Sequence, residues 1–265
     1  MPLEALPLPV PAPGRPAGPS IADVCRRMDE LLRRFDRARD YRAVFLRSYR
    51  IITGAVQEAV GDTSFADPQW LTALDVQFAQ EYFDALDGFE AGRPIPRCWQ
   101  LAFDLATQRR TSVLGDLILG MNAHIVHDLP IALWKLGLGG GTRALRQQDF
   151  KGVDDLLARR IDGVQQQICR RYSLGLWLLD RVTRRADELY TDASLRAARA
   201  RAWTDGLALI DAADLPSREG LLASLDERAS AVGLPWQLEA SLGPAWLSRW
   251  IRRADRALAL SWLRR

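Results

Sequence analysis

Apolar positions recur at intervals of three and four through most of this chain, the spacing of a helix with one buried face. No alternating β-branched run appears, and no Asn-Gly or Asp-Gly pair joins two such runs as a hairpin would require. The pattern therefore predicts an all-α fold, a single compact bundle of about nine or ten helices. A first helix opens at Ser20 or Asp23 and runs to about Ala38, and Asp40 caps a second through about Val60. Asp67-Pro68 pairs a capping acid with a proline at the first helical position, starting a third helix to about Leu86. Pro94 and Pro96 precede a fourth, and Thr111 or Ser112 starts a central fifth that ends before Gly137. Further helices are predicted at about Asp149–Arg171, Leu174–Leu189, Asp192–Ala212, Ser217–Ala231 and Pro235–Leu263.

The helical projection, at about 100° per residue, singles out the central helix. Leu114, Leu117, Ile118, Met121, Ile125, Leu129, Ala132 and Leu136 form one apolar stripe, and Asp128 falls inside it. His124 sits one turn earlier at the stripe's edge, Asn122 flanks the opposite edge, and His127 projects outward as a surface histidine. A carboxylate on a core face is costly unless it is paired, hydrogen-bonded or metal-bound. Asp128 therefore needs a partner, and His124 four residues back is the nearest. The third helix repeats the anomaly: Asp75 projects into the stripe of Leu71, Leu74, Phe78, Tyr82 and Leu86, with Glu81 at its margin.

Three chemistries fit this set. Asp75, His124 and Asp128 form an acid–base site in which Asp128 orients the imidazole and raises its pKa. The same three bind a divalent metal. Or they form a structural hydrogen-bond network. Tyr49, Tyr82, Glu81, Asn122 and Trp134 are the candidate substrate contacts. The leading expectation is a cytoplasmic small-molecule enzyme of bacterial, specialised metabolism, acting as a lyase, cyclase, isomerase or hydrolase. No cofactor is expected, with a divalent metal as the open alternative. A non-catalytic binding or scaffolding protein is the reading from a different class.

Composition narrows this further. With 48% hydrophobic and 26% charged residues and a net charge of +3, the chain has neither the bias of a disordered protein nor that of a nucleic-acid binder. Cys25, Cys98 and Cys169 lack zinc or redox spacing and read as buried reduced thiols. Residues 1–20, rich in Pro, Ala and Gly, read as a disordered or wrapping arm rather than a signal peptide, leaving 21–265 as one helical domain. Gly137, Gly139, Gly140 and Gly141 follow a helix rather than a strand and read as a helix end with a flexible connection. Most of the nine tryptophans are expected in helix packing. The last helix, 235–263, sets Trp246 and Trp250 against Arg249, Arg252 and Arg256. Docking on the bundle is preferred there over contact with an anionic membrane. A homodimer is left open.

Other site chemistries are excluded or disfavoured. Two histidines cannot supply a ferritin-like di-iron site. Asp154-Asp155 lacks the third acid of an aspartate-rich diphosphate motif, and no Gly-x-Ser-x-Gly elbow is present. The bundle-fold zinc phospholipases also use a His-x-x-x-Asp pair, but with several more histidines than this chain has.

Several motifs resemble those of an uncharacterised, mainly actinobacterial family, domain-of-unknown-function family 5995. They are Phe45-x-Arg47-x-Tyr49-x-x-x-Thr53, Asp67-Pro68, Leu74-Asp75-Val76-x-Phe78-Ala79, and above all Gly120-Met121-Asn122-Ala123-His124-Ile125 with Asp128-Leu129-Pro130. Asp149-Phe150 and Arg199-x-x-Ala202-Trp203 match more weakly, and the resemblance covers roughly Ile21 to Leu209. It implies an all-α fold and carries no activity to transfer.

Overall fold

The computed structural model describes residues 18–61, 65–111, 113–139, 142–172 and 192–232. These form α1 (Ile21–Ala38), α2 (Arg42–Gly61), α3 (Pro68–Glu90), α4 (Arg97–Gln108) and α5 (Val113–Asn122). A π-helical turn (Ala123–Asp128) leads directly into α6 (Leu129–Leu136), followed by α7 (Arg143–Tyr172), α8 (Asp192–Asp211) and α9 (Leu215–Ala231). The all-α expectation holds. Counting α5, the π turn and α6 as one continuous helix gives eight among the described residues, where eight of the nine or ten expected helices fall. The expected helices at 174–189 and 235–263, most of the arm at 1–20, the side chain of Cys169, and Trp177, Trp236, Trp246, Trp250 and Trp262 lie outside the described residues.

The caps explain where the helices begin. Ser20 accepts from the Asp23 backbone N–H while Asp23 accepts from Ser20 N–H, a reciprocal box that starts α1. Asp67 accepts from Trp70 N–H at 3.0 Å with Pro68 in the first turn of α3. Two boundaries differ from expectation. α3 continues a turn past Leu86 to Glu90, and α7 starts at Arg143 rather than Asp149. Asp149 therefore lies inside α7. Its buried carboxylate reaches across to accept from Ala66 and Asp67 N–H at 2.9 and 2.7 Å, fixing the chain that enters α3. Asp226 of α9 does the same for α4, where Pro96 offers no side-chain cap. It accepts from Arg97 and Cys98 N–H at 2.9 and 2.8 Å.

The helix running through Ile118, Leu119, Ala123, Leu129 and Leu133 is the axis of the bundle. One side packs into a core with α1, α2, α3 and α4 around Met28, Phe45, Tyr82 and Trp99. The other joins α3, α7 and α8 around Trp70, Leu133, Phe150 and Trp203. Gly115–Leu136 is long and apolar enough to span a membrane, yet 78% of that window is buried within the protein, as a core helix requires. Gly120 is a packing necessity, because a Cβ there would overlap the Phe45 ring. At the end of α6, Gly137 adopts φ +73°, and its N–H bonds Leu133 O; Gly140 and Gly141 lie outside the described residues. Arg27–Asp87, Arg34–Glu90 and Arg42–Glu90 ion pairs tie α1 and α2 to α3 on the surface.

Candidate functional site

The π turn carries His124, His127 and Asp128. Leu129 N–H bonds His124 O, five residues back instead of four, so each residue advances by a smaller angle. Adjacent side chains consequently lie closer in direction, and His127 swings inward beside Asp128. This corrects the expectation of a surface histidine: His127 is buried at 7% exposure. Asp128, at 1%, accepts from both imidazoles, His124 Nδ1 at 2.9 Å and His127 Nδ1 at 2.8 Å. Trp99 of α4 donates its indole N–H to both carboxylate oxygens at 3.0 Å. Burial pushes the Asp128 pKa up, but the hydrogen bonds from His124 and His127 outweigh it and leave the carboxyl below its ordinary value. An ionised carboxylate only accepts, so both histidines carry their proton on Nδ1 toward it.

Burial lowers the His124 pKa, and the Asp128 hydrogen bond and charge only partly offset this. The ring is therefore a neutral imidazole with a lone pair on Nε2. Nε2 is buried without a hydrogen-bond partner. The ring is clamped by Phe78, stacked at 3.5 Å between centroids and 8° between planes, and by the edge of Tyr49 at 4.3 Å. For His127 the balance is reversed: burial lowers, but the hydrogen bond and charge of Asp128, with the charges of Asp226 and Glu81, together raise the pKa more.

His124 lines a cavity of about 90 Å³ between α2, α3, the central helix, α7 and α8. On that measure one water needs roughly 10–15 Å³, so a small ligand fits. The wall is mainly apolar, including Phe45, Ile52, Leu74, Phe78, Met121 and Phe150, with Ser48, Tyr49, Asp75, His124 and Arg199 as its polar positions. Asp75 Oδ2 has no hydrogen-bond partner. Burial raises its pKa from 3.8 to about 7, against the attraction of Arg199. Arg199 itself is buried, ion-paired with Asp154 and bonded to Phe150 O at 3.0 Å.

Of the residues expected at the site, the structure brings Asp75, His124 and Tyr49 to one cavity and puts Asp128 behind the imidazole. The Tyr49 hydroxyl is buried near Thr53, and burial, then Asp75 and Asp128, raise its pKa well above the ordinary value against the Thr53 hydroxyl. The other expected substrate contacts lie elsewhere. Asn122 Nδ2 donates to Ala229 O at 2.6 Å and fastens α9. Tyr82 is fully buried among Phe45, Trp99 and Phe103. Glu81 pairs with Lys135 at 2.8 Å and accepts from Gln77, and Trp134 lies beneath Arg218. Trp99, His127 and Arg199 were missed as site residues. The inward shift of His127 has no sequence signal, whereas Asp154 and Arg199 were visible as acids and bases without any hint that they pair. Among the described residues, one set of three His, Cys, Asp or Glu ligand atoms lies within 4.8 Å of one another: Cys98, His127 and Asp226.

The fold and site together define an all-α bundle protein with a carboxylate-oriented histidine facing an apolar cavity. The chain belongs to the family of unknown function DUF5995, whose model matches residues 21–234. Neither a curated protein nor a solved structure matches it.

Proposed function

We propose that this protein is an enzyme that moves protons on a small, largely apolar substrate, with His124 Nε2 as general base. The observation that carries this reading is the buried, unpartnered Nε2 at the cavity wall, its tautomer fixed by Asp128 behind it. An unsatisfied buried acceptor costs about 1–3 kcal/mol, so a site that retains one is matched to a donor from outside the protein. A proton taken from substrate onto Nε2 makes an imidazolium, which the Asp128 carboxylate stabilises. Asp75, with a pKa of about 7, is partly protonated at neutral pH and can return a proton at another position. Base and acid on one apolar cavity suit an isomerisation, cyclisation or elimination. A cytoplasmic setting and a bacterial metabolic role belong to the same proposal.

The test needs no known substrate. Protein is incubated in deuterium oxide with a small-molecule extract of its host, and deuterium uptake or turnover is followed by mass spectrometry. Wild type labels or converts a component, while His124→Gln, shown folded by circular dichroism, does not. Equal labelling by the variant would overturn the base assignment. A second reading, ligand binding without catalysis, is favoured by the saturation of Asp128 with three donors joining α4 to the central helix. It predicts a component retained unchanged and unlabelled.

A further inference from the structure

We infer that Cys98, His127 and Asp226 form a zinc-class divalent cation site, separate from the His124 cavity. The three residues come from the first turn of α4, the π turn and α9, and their ligand atoms lie within 4.8 Å of one another. Tetrahedral zinc holds its donors roughly 3.5 Å apart, so side-chain adjustments of about an ångström close the set. A thiolate, an imidazole and a carboxylate are a donor combination that suits zinc over magnesium or calcium, which prefer oxygen alone. Three protein ligands leave a fourth position for water or another ligand.

The surroundings have the form of a metal site's outer shell. His127 Nδ1 is committed to Asp128, which leaves Nε2 as the ring's metal-binding nitrogen. A ligating histidine held by a carboxylate on its far nitrogen is the usual arrangement behind zinc. Asp226 is fixed by the Arg97 and Cys98 backbone N–H groups, each of which uses one of its oxygens and leaves lone pairs over. The charges of Asp128 and Asp226 act on both Cys98 and His127, and that of Glu81 on His127, so the surroundings of the three ligands are negative and suit a cation. Binding displaces the thiol proton of Cys98 to solvent, with no change of oxidation state.

Cobalt(II) is the probe. Full-length wild-type protein, stripped with a chelator, is titrated with cobalt(II) and followed by absorbance, then back-titrated with zinc. The expected result is a near-ultraviolet thiolate-to-cobalt band at one equivalent, removed by zinc. Cys98→Ser, a near-isosteric change, loses the band, and Asp226→Asn weakens cobalt binding by about 10–100-fold, as loss of a ligand or its support does. No band in folded wild-type protein would overturn the site. So would a band that survives Cys98→Ser, because it would belong to another cysteine. His124→Gln retains the band, so failure of the base assignment and failure of the metal site are read independently.

Discussion

Replacing Asp75 with asparagine should stabilise the protein, and only above a particular pH. Asp75 projects into the cavity wall, where burial lifts its pKa from 3.8 to about 7. The native state therefore holds this proton more tightly than the unfolded chain does. A raised pKa contributes stability that is complete below the unfolded value and is lost as pH rises through the folded one. The window runs from 3.8 to about 7. A separation of about three pH units corresponds to about 4 kcal/mol, an upper figure because water entering the cavity relieves part of the cost. Asparagine keeps the size and stays neutral throughout. The assay is urea denaturation of wild type and Asp75→Asn across the pH range, analysed as the difference between the two stabilities. That difference should be near zero at about pH 4 and favour the variant by about 2–4 kcal/mol at about pH 8. A difference independent of pH, or a variant less stable at the alkaline end, would refute the placement of the carboxyl in an apolar wall. The same experiment carries a functional corollary, since a residue that weakens the fold when ionised is retained for something other than the fold.

Asp128→Asn removes the charge shared by three N–H donors and turns an amide toward at least one of them. It should cost about 3–5 kcal/mol, as breaking a buried charge network does. The melting temperature by circular dichroism should fall by roughly 6–20 °C, and a change under about 2 °C would contradict the network. Gly120→Ala places a methyl group in the Phe45 ring and should cost about 1–3 kcal/mol in the same denaturation assay. Phe45→Leu in the same chain should recover part of that loss, and no recovery would point to a different clash.

The anomalies that mattered were legible in the sequence as charges out of phase with an apolar stripe. Asp75 and Asp128 stood out this way, and the structure puts Asp75 on the cavity and Asp128 behind its histidine. Helix existence was equally readable, because caps such as Ser20 and Asp67 are local. What failed were inferences that assumed a uniform helix or a local partner. His127 was sent to the surface by a projection at a constant angle, which the π turn breaks. Asp149, where the pattern starts a helix, lies inside α7, and its carboxylate holds the chain that enters α3. Trp99, Asp226 and Arg199 reach the site region from other helices, and periodicity along one helix says nothing about the angle at which another crosses it. Tyr82, Glu81, Asn122 and Trp134 had suitable chemistry on suitable helices, but faced apolar packing, a surface lysine, a backbone carbonyl and an arginine instead.

The five-residue hydrogen bond that closes the π turn makes this a chain with one residue in surplus. Removing Ile125 alone would let the helix revert to its ordinary pitch without shortening any neighbour. Composition, net charge and the count of helices would hardly register the loss. Yet His127, Asp128 and everything after them would rotate together against everything before, parting the carboxylate from the His124 imidazole that it now orients. The His124–Asp128 pairing is in that sense a matter of helical phase, and a natural relative lacking this one residue should keep the bundle and lose the pairing on which the proposed base depends.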